Sequence, residues 1–135
     1  MVVGGIFMTN IVLIHGTWCD GSVWGEFVYE LEKLGLNVYT PTLRYHDLPY
    51  EEVEKKVAEV SLDEFTDDIV ELIETLDETP IVLGHSLGGL LAQKVAMRTK
   101  VKGLVLMGTA PAVGIFAFYP SMVICFYKHF LRWGF

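Results

Sequence analysis

Acidic residues run out early in this 135-residue chain: none occurs after Glu78. A carboxylate acting as acid, base or metal ligand is thereby excluded from residues 79–135. Histidine is also scarce, at four residues, and only His129 follows residue 86. Two cysteines, Cys19 and Cys125, are too few for a disulfide framework, so free thiols are expected. No set of His, Cys, Asp and Glu has metal-ligand spacing, and neither a metal nor a cofactor is expected. The start, MVVGGIF, has no basic segment and is too short for a secretory signal, which points to the cytoplasm.

A net charge of −7 argues against a nucleic-acid partner. Hydrophobic residues make up 52% of the chain, which excludes disorder, and the length suits one domain with a real core. The charge is unevenly split. Residues 1–78 carry all 17 acids against four Lys/Arg, a net −13, whereas residues 79–135 carry six Lys/Arg, a net +6. The second part therefore reads as a buried strand, a helix and an apolar tail.

The most informative stretch is residues 80–96, PIVLGHSLGGLLAQKVA. An apolar run leads into Gly84-His85-Ser86-Leu87-Gly88, and a helical pattern follows at once. That is the strand–turn–helix setting a G-x-S-x-G nucleophile requires. Gly84 and Gly88 lack the β-carbons that would collide as strand and helix close on each other. Ser86 then sits at a helix N-terminus, where free N–H groups favour developing negative charge. The N–H of Leu87 would face an oxyanion.

A second motif lies 71 positions before Ser86, where the strand-like run after Asn10 ends in His15-Gly16 and Thr17-Trp18 follows. Together the two motifs make the chain resemble the α/β-hydrolase family, and most of all its small esterases, over about Asn10–Pro111. In that family the residue after the H-G turn supplies a second oxyanion N–H. The resemblance gives that role to Thr17, with Trp18 as a pocket residue. It also implies that His15 and His85 are packed, hydrogen-bonded supports and not bases.

The rest of the pattern agrees with alternating strands and helices. Strands are expected at Asn10–His15, Leu36–Thr40, Ile81–Gly84 and Val101–Met107. Helices are expected over Val23–Leu34, with Ser22 as cap and Val23, Phe27, Leu31 and Leu34 inward, and over Leu87–Thr99. Ser61-Leu62-Asp63-Glu64 reads as a capping box opening a helix to about Leu76. Arg44–Glu59 reads as a charged, irregular or partly helical connection. The order β-α-β-α-β-α-β implies an α/β fold, a parallel sheet covered on both faces. By resemblance its strands are the family's third to sixth, in spatial order 4-3-5-6.

Residues 1–111 would then form a partial hydrolase core and residues 112–135 the apolar start of a lid. A membrane span is the competing reading of the uncharged run Gly103–Tyr127, but Pro111 and Pro120 interrupt it. In the family the acid follows the seventh strand and the histidine the eighth. The resemblance thus implies the N-terminal part of a hydrolase, from a truncated or split gene or cut from a longer chain. His46, beside Asp47, and His129 are candidate substitute bases; Cys19 is a weaker candidate nucleophile. Expected partners are a small apolar ester and either a second copy or a separate C-terminal half. Pairing of copies would use Phe116, Phe118, Tyr119, Phe126, Phe130 and Trp133. Two other functions stay open: a non-catalytic binding or oligomerisation module, and a cofactor-free lyase or peroxidase.

Overall fold

The computed structural model describes residues 8–112 together with 114, 115, 120, 121 and 127. The expected tail contacts, His129, Cys125 and nearly all of the expected lid lie outside the described residues. Four strands, β1 (Thr9–Ile14), β2 (Leu36–Tyr39), β3 (Ile81–His85) and β4 (Gly103–Met107), form one sheet in the order β2-β1-β3-β4. Every pairing is parallel, with Ile11 opposite Ile81 and Ile81 opposite Gly103. This is the expected 4-3-5-6 arrangement.

Alternation along β1 and β3 sends successive side chains to opposite faces. Val12, Ile14 and Val82 join Phe65, Ile69 and Ile73 of α3 (Leu62–Glu74) and Leu91, Ala92 and Val95 of α4 (Leu87–Arg98). Ile11, Leu13 and Leu83 meet Trp24, with Val28 and Leu31 of α1 (Gly25–Lys33) packed alongside. Fully burying each Leu, Ile or Val side chain stabilises by about 1.5–3 kcal/mol, so the contacts between the two inner strands and the helices on either face hold the core together. The capping box forms as expected: Ser61 Oγ accepts from the Glu64 N–H, and the Glu64 carboxylate accepts from the Ser61 N–H.

The first helix departs from expectation. Asp20, not Ser22, makes the cap, its Oδ1 accepting the Ser22 N–H at 2.7 Å. A 3-10 turn at Gly21–Trp24 precedes α1, and Gly25 at φ 24° joins the two. That break resets the helical phase. Trp24, Val28 and Leu31 face inward at i, i+4 and i+7, while Val23, Phe27 and Leu34 are exposed. The charged connection contains a third helix, α2 (Tyr50–Val57).

Strand β4 is bonded to β3 on one side only, and Leu104, Val105, Leu106 and Met107 are each at least 40% exposed. Among the described residues it is a sheet edge whose faces are thinly covered. No helix among the described residues is long and apolar enough to cross a membrane.

Candidate active site

Three backbone segments meet at the C-terminal rim of the sheet. A β-carbon on Gly84 would stand 2.1 Å from the Gly88 carbonyl oxygen, and one on Gly88 would stand 2.1 Å from that of Ile14. Only hydrogen fits at either position, so β3, α4 and the end of β1 lie backbone against backbone. Ser86, between β3 and α4, is driven to φ 56° and ψ −119°. A non-glycine residue there is strained by about 1–3 kcal/mol and persists only where its surroundings hold it. They do so here. The Ser86 N–H donates to the Met107 carbonyl at 3.1 Å, and the Ser86 carbonyl accepts from Gly89 at 3.0 Å and Ala110 at 2.9 Å.

The His15-Gly16-Thr17 turn abuts this serine. A β-carbon on Gly16 would lie 3.2 Å from Ser86 Cβ. The turn is fixed by His15, which is fully buried. The Leu43 N–H donates to His15 Nε2 at 2.9 Å, so Nδ1 carries the hydrogen and donates to the Gly16 carbonyl at 2.8 Å. Burial first, and then the neighbouring His46, holds the His15 pKa below its ordinary value. With both nitrogens engaged and the charged form disfavoured, His15 ties the Gly16 carbonyl to Leu43. Neither the Thr17 N–H nor the Leu87 N–H, the first of α4, donates to any described residue.

His85 corrects an expectation. It is exposed, and its side chain makes no hydrogen bond with any described residue. The strand's alternation explains this. Gly84 faces α4, so His85 faces the other side, at the rim. Its neighbours there are Gly16 and Gly108, which have no side chains to cover it. His46 is buried, its Nδ1 donating to the Arg44 carbonyl at 3.1 Å. Its ring packs on His15 at 5.2 Å and Phe65 at 5.7 Å between centroids. No described histidine hydrogen-bonds Ser86, and no described carboxylate hydrogen-bonds a histidine. Cys19 is a free thiol, half-buried, and its N–H closes the turn on the Gly16 carbonyl. Trp18, 62% exposed, lines a cavity beside the turn. Among the described residues, no three of His, Cys, Asp and Glu stand close enough to hold a metal ion.

Several supports gave no sequence signal. Arg44 forks onto Asp68 at 2.6 and 3.0 Å and reaches Glu64 at 3.3 Å, tying the segment after β2 to α3. That segment delivers the Leu43 N–H to His15. Partners 20 to 28 positions apart follow no local period, and only the fold brings them together.

Comparison with known proteins agrees with this geometry. Residues 11–134 match the model of the Alpha/beta hydrolase family. The chain is 34% identical over 102 residues to a carbendazim hydrolyzing esterase of Nocardioides sp. (strain SG-4G), covering 73% of this chain and 40% of that protein. It is 32% identical over 111 residues to a pyrethroid hydrolase of Sphingobium wenxiniae, covering 78% and 39%. It thus spans about two-fifths of the length of these relatives. Among solved structures it resembles an extracellular alpha/beta-hydrolase from a Paenibacillus species, with a TM-score of 0.70 and 29% identity over 93% of this chain and 52% of that one. The matches extend along both the sheet and its connections, and the chain belongs to the alpha/beta hydrolase family.

Proposed function

We propose that Ser86 is the nucleophile of a carboxylester hydrolase that works through an acyl-enzyme. Its Oγ attacks the ester carbonyl carbon while its proton passes to a base. The carbonyl oxygen becomes an oxyanion facing the N–H groups of Thr17 and Leu87. Collapse expels the alcohol, which takes the proton from the base; water then repeats the sequence on the acyl group. The observation that carries this is the strained Ser86 backbone, clamped by hydrogen bonds at both its N–H and its carbonyl beside the Gly16-Thr17 turn. Names of relatives add support: one is a carbendazim hydrolyzing esterase and another a pimeloyl-[acyl-carrier protein] methyl ester esterase. The proposed substrate is a small or medium apolar ester.

No described histidine hydrogen-bonds Ser86, so the base and its acid are proposed to come from beyond the described residues. Candidates are His129, a second copy of the chain, or a separate C-terminal half. The uncovered β4 edge favours such a partner. The segment 112–135 is proposed as the start of a lid, with its aromatic residues in the contact.

A fluorophosphonate probe tests the assignment. The chain should label at Ser86, Ser86→Ala should not, and p-nitrophenyl acetate turnover should be feeble. Oxyanion stabilisation and binding alone leave about 10³–10⁴-fold over water in proteases stripped of a triad member. A folded chain that never labels favours the second reading, a non-catalytic binding module. That reading draws on the lack of any described base beside Ser86.

A further inference from the structure

The Ser86 backbone is held from two directions. Its carbonyl accepts from Gly89 at 3.0 Å and Leu90 at 3.4 Å, the bonds that open α4. These stay within the helix's own first turn. The bonds from outside α4 both come from one short segment, Met107–Ala110. The Met107 carbonyl accepts the Ser86 N–H at 3.1 Å, and the Ala110 N–H donates to the Ser86 carbonyl at 2.9 Å. Gripping both ends of one residue opposes rotation about its φ and ψ. Relaxation to negative φ would swing one of these groups off its partner.

Met107 is anchored as the last residue of β4, paired with His85. Gly108 then turns the chain at φ 50°. Thr109 follows and is exposed to solvent, yet its side chain sits on the first turn of α4. A β-carbon on Gly89 would stand 2.6 Å from Thr109 Oγ1, 2.7 Å from its Cβ and 3.0 Å from its Cα. The notch left by Gly89 therefore receives Thr109. Gln93 lies one turn further along α4. Its Nε2 donates to the Gly89 carbonyl at 3.2 Å and to Thr109 Oγ1 at 3.4 Å. The Thr109 hydroxyl donates in turn to the Ala110 carbonyl at 3.2 Å. Gln93, Thr109 and Ala110 thus form a chain of polar contacts ending at the residue whose N–H holds Ser86.

We propose that Thr109 and Gln93 are positioning residues for the nucleophile. Thr109 docks the turn after β4 on α4, and Gln93 fixes the Thr109 hydroxyl. The docked turn presents the Ala110 N–H to the Ser86 carbonyl and so keeps the serine in its strained conformation. That Ser86 is a nucleophile rests on the hydrolase proposal; the docking of the turn does not. The hydroxyl is the atom that separates this role from plain packing. A valine at 109 would keep the branched shape but offer Gln93 no acceptor and the Ala110 carbonyl no donor.

Hydrogen exchange followed by NMR and fluorophosphonate labelling, both on the full chain, test this. Thr109→Val removes the hydroxyl, and Thr109→Ser keeps it. The Ala110 amide should exchange about fivefold faster in Thr109→Val, the effect of one hydrogen bond. It should exchange at the wild-type rate in Thr109→Ser, with the β1 amides unchanged in both. The maximal labelling rate of Ser86 should fall by a similar factor in Thr109→Val at an unchanged half-saturating probe concentration. Thr109→Ser should label like the wild type. Gln93→Leu should act like Thr109→Val, and the double variant should lose no more than either alone. An Ala110 amide unmoved by Thr109→Val, equal effects of Thr109→Val and Thr109→Ser, or additive effects in the double variant would overturn the proposal. If Thr109→Val folds poorly, Gln93→Leu carries the same test. A wild-type chain that never labels removes the hydrolase proposal, and exchange at Ala110 then decides the docking alone. A chain that labels, with its rate or its Ala110 exchange indifferent to both variants, removes only this proposal.

Discussion

Gly88→Ala is the sharpest perturbation available at the candidate site. The added carbon would lie 2.1 Å from the Ile14 carbonyl oxygen and 2.5 Å from that of His15. Ordinary contact begins at 3.4 Å, so one backbone must retreat by about 1.3 Å. Neither can do so cheaply. Ile14 is in the central part of the sheet, paired with Gly84, and His15 is pinned through both ring nitrogens. Overpacking should reach the upper end of its usual range, about 3 kcal/mol. Alanine's better helix propensity returns about 1 kcal/mol, leaving a net loss of about 2 kcal/mol or more. With a urea dependence of about 1–3 kcal/mol per molar, the unfolding midpoint followed by circular dichroism should fall by roughly 1 M. Gly35→Ala is the control. Gly35 sits at φ 80° with nothing within 4 Å of the new carbon, so it should lose only the left-handed backbone penalty of about 1–2 kcal/mol. Labelling of Ser86 should drop in folded Gly88→Ala and persist in folded Gly35→Ala. A Gly88→Ala midpoint within about 0.2 M of the wild type would refute the backbone-on-backbone packing on which the site's geometry depends.

Two other outcomes follow from the same turn. Ser86→Gly relieves a non-glycine residue at φ 56°, so it should raise stability by about 1 kcal/mol while abolishing labelling; an unchanged or lower midpoint would mean the turn is not strained. His15 has its pKa lowered by burial, so the unfolded chain binds more protons than the folded one below the ordinary value of 6.5. Its stabilising contribution is full above 6.5 and is lost as pH falls from there through the lowered folded value. The unfolding midpoint should therefore decline from pH 7 downward, and His15→Asn should flatten that slope; equal slopes in both proteins would contradict the buried neutral role.

Periodicity carried the fold where local chemistry alone decides it. The Ser61–Glu64 box and the inner strands were legible because capping and alternation act over a few residues, whereas the strand order came from the family resemblance. Helix α1 was shifted in phase because the Gly25 break lies outside any simple period. At the site, the glycines that admit close backbone approach were readable from G-x-S-x-G. The orientation of His85 was not, since it depends on which neighbour supplies a side chain, and here both neighbours are glycines. The long-range braces were silent for a related reason. Asp68 holds Arg44 beside Leu43, and Leu43 donates to His15, which holds the Gly16 carbonyl; the two links between segments span 24 and 28 positions. The same route places His46 two residues beyond Arg44, its Nδ1 donating to the Arg44 carbonyl and its Nε2 buried without a partner among the described residues. The ion pair on α3 therefore acts on the His15–Gly16 turn and on His46 together. Loosening Arg44 would disturb both, through its neighbour Leu43 and through its own carbonyl, which accepts from His46 Nδ1.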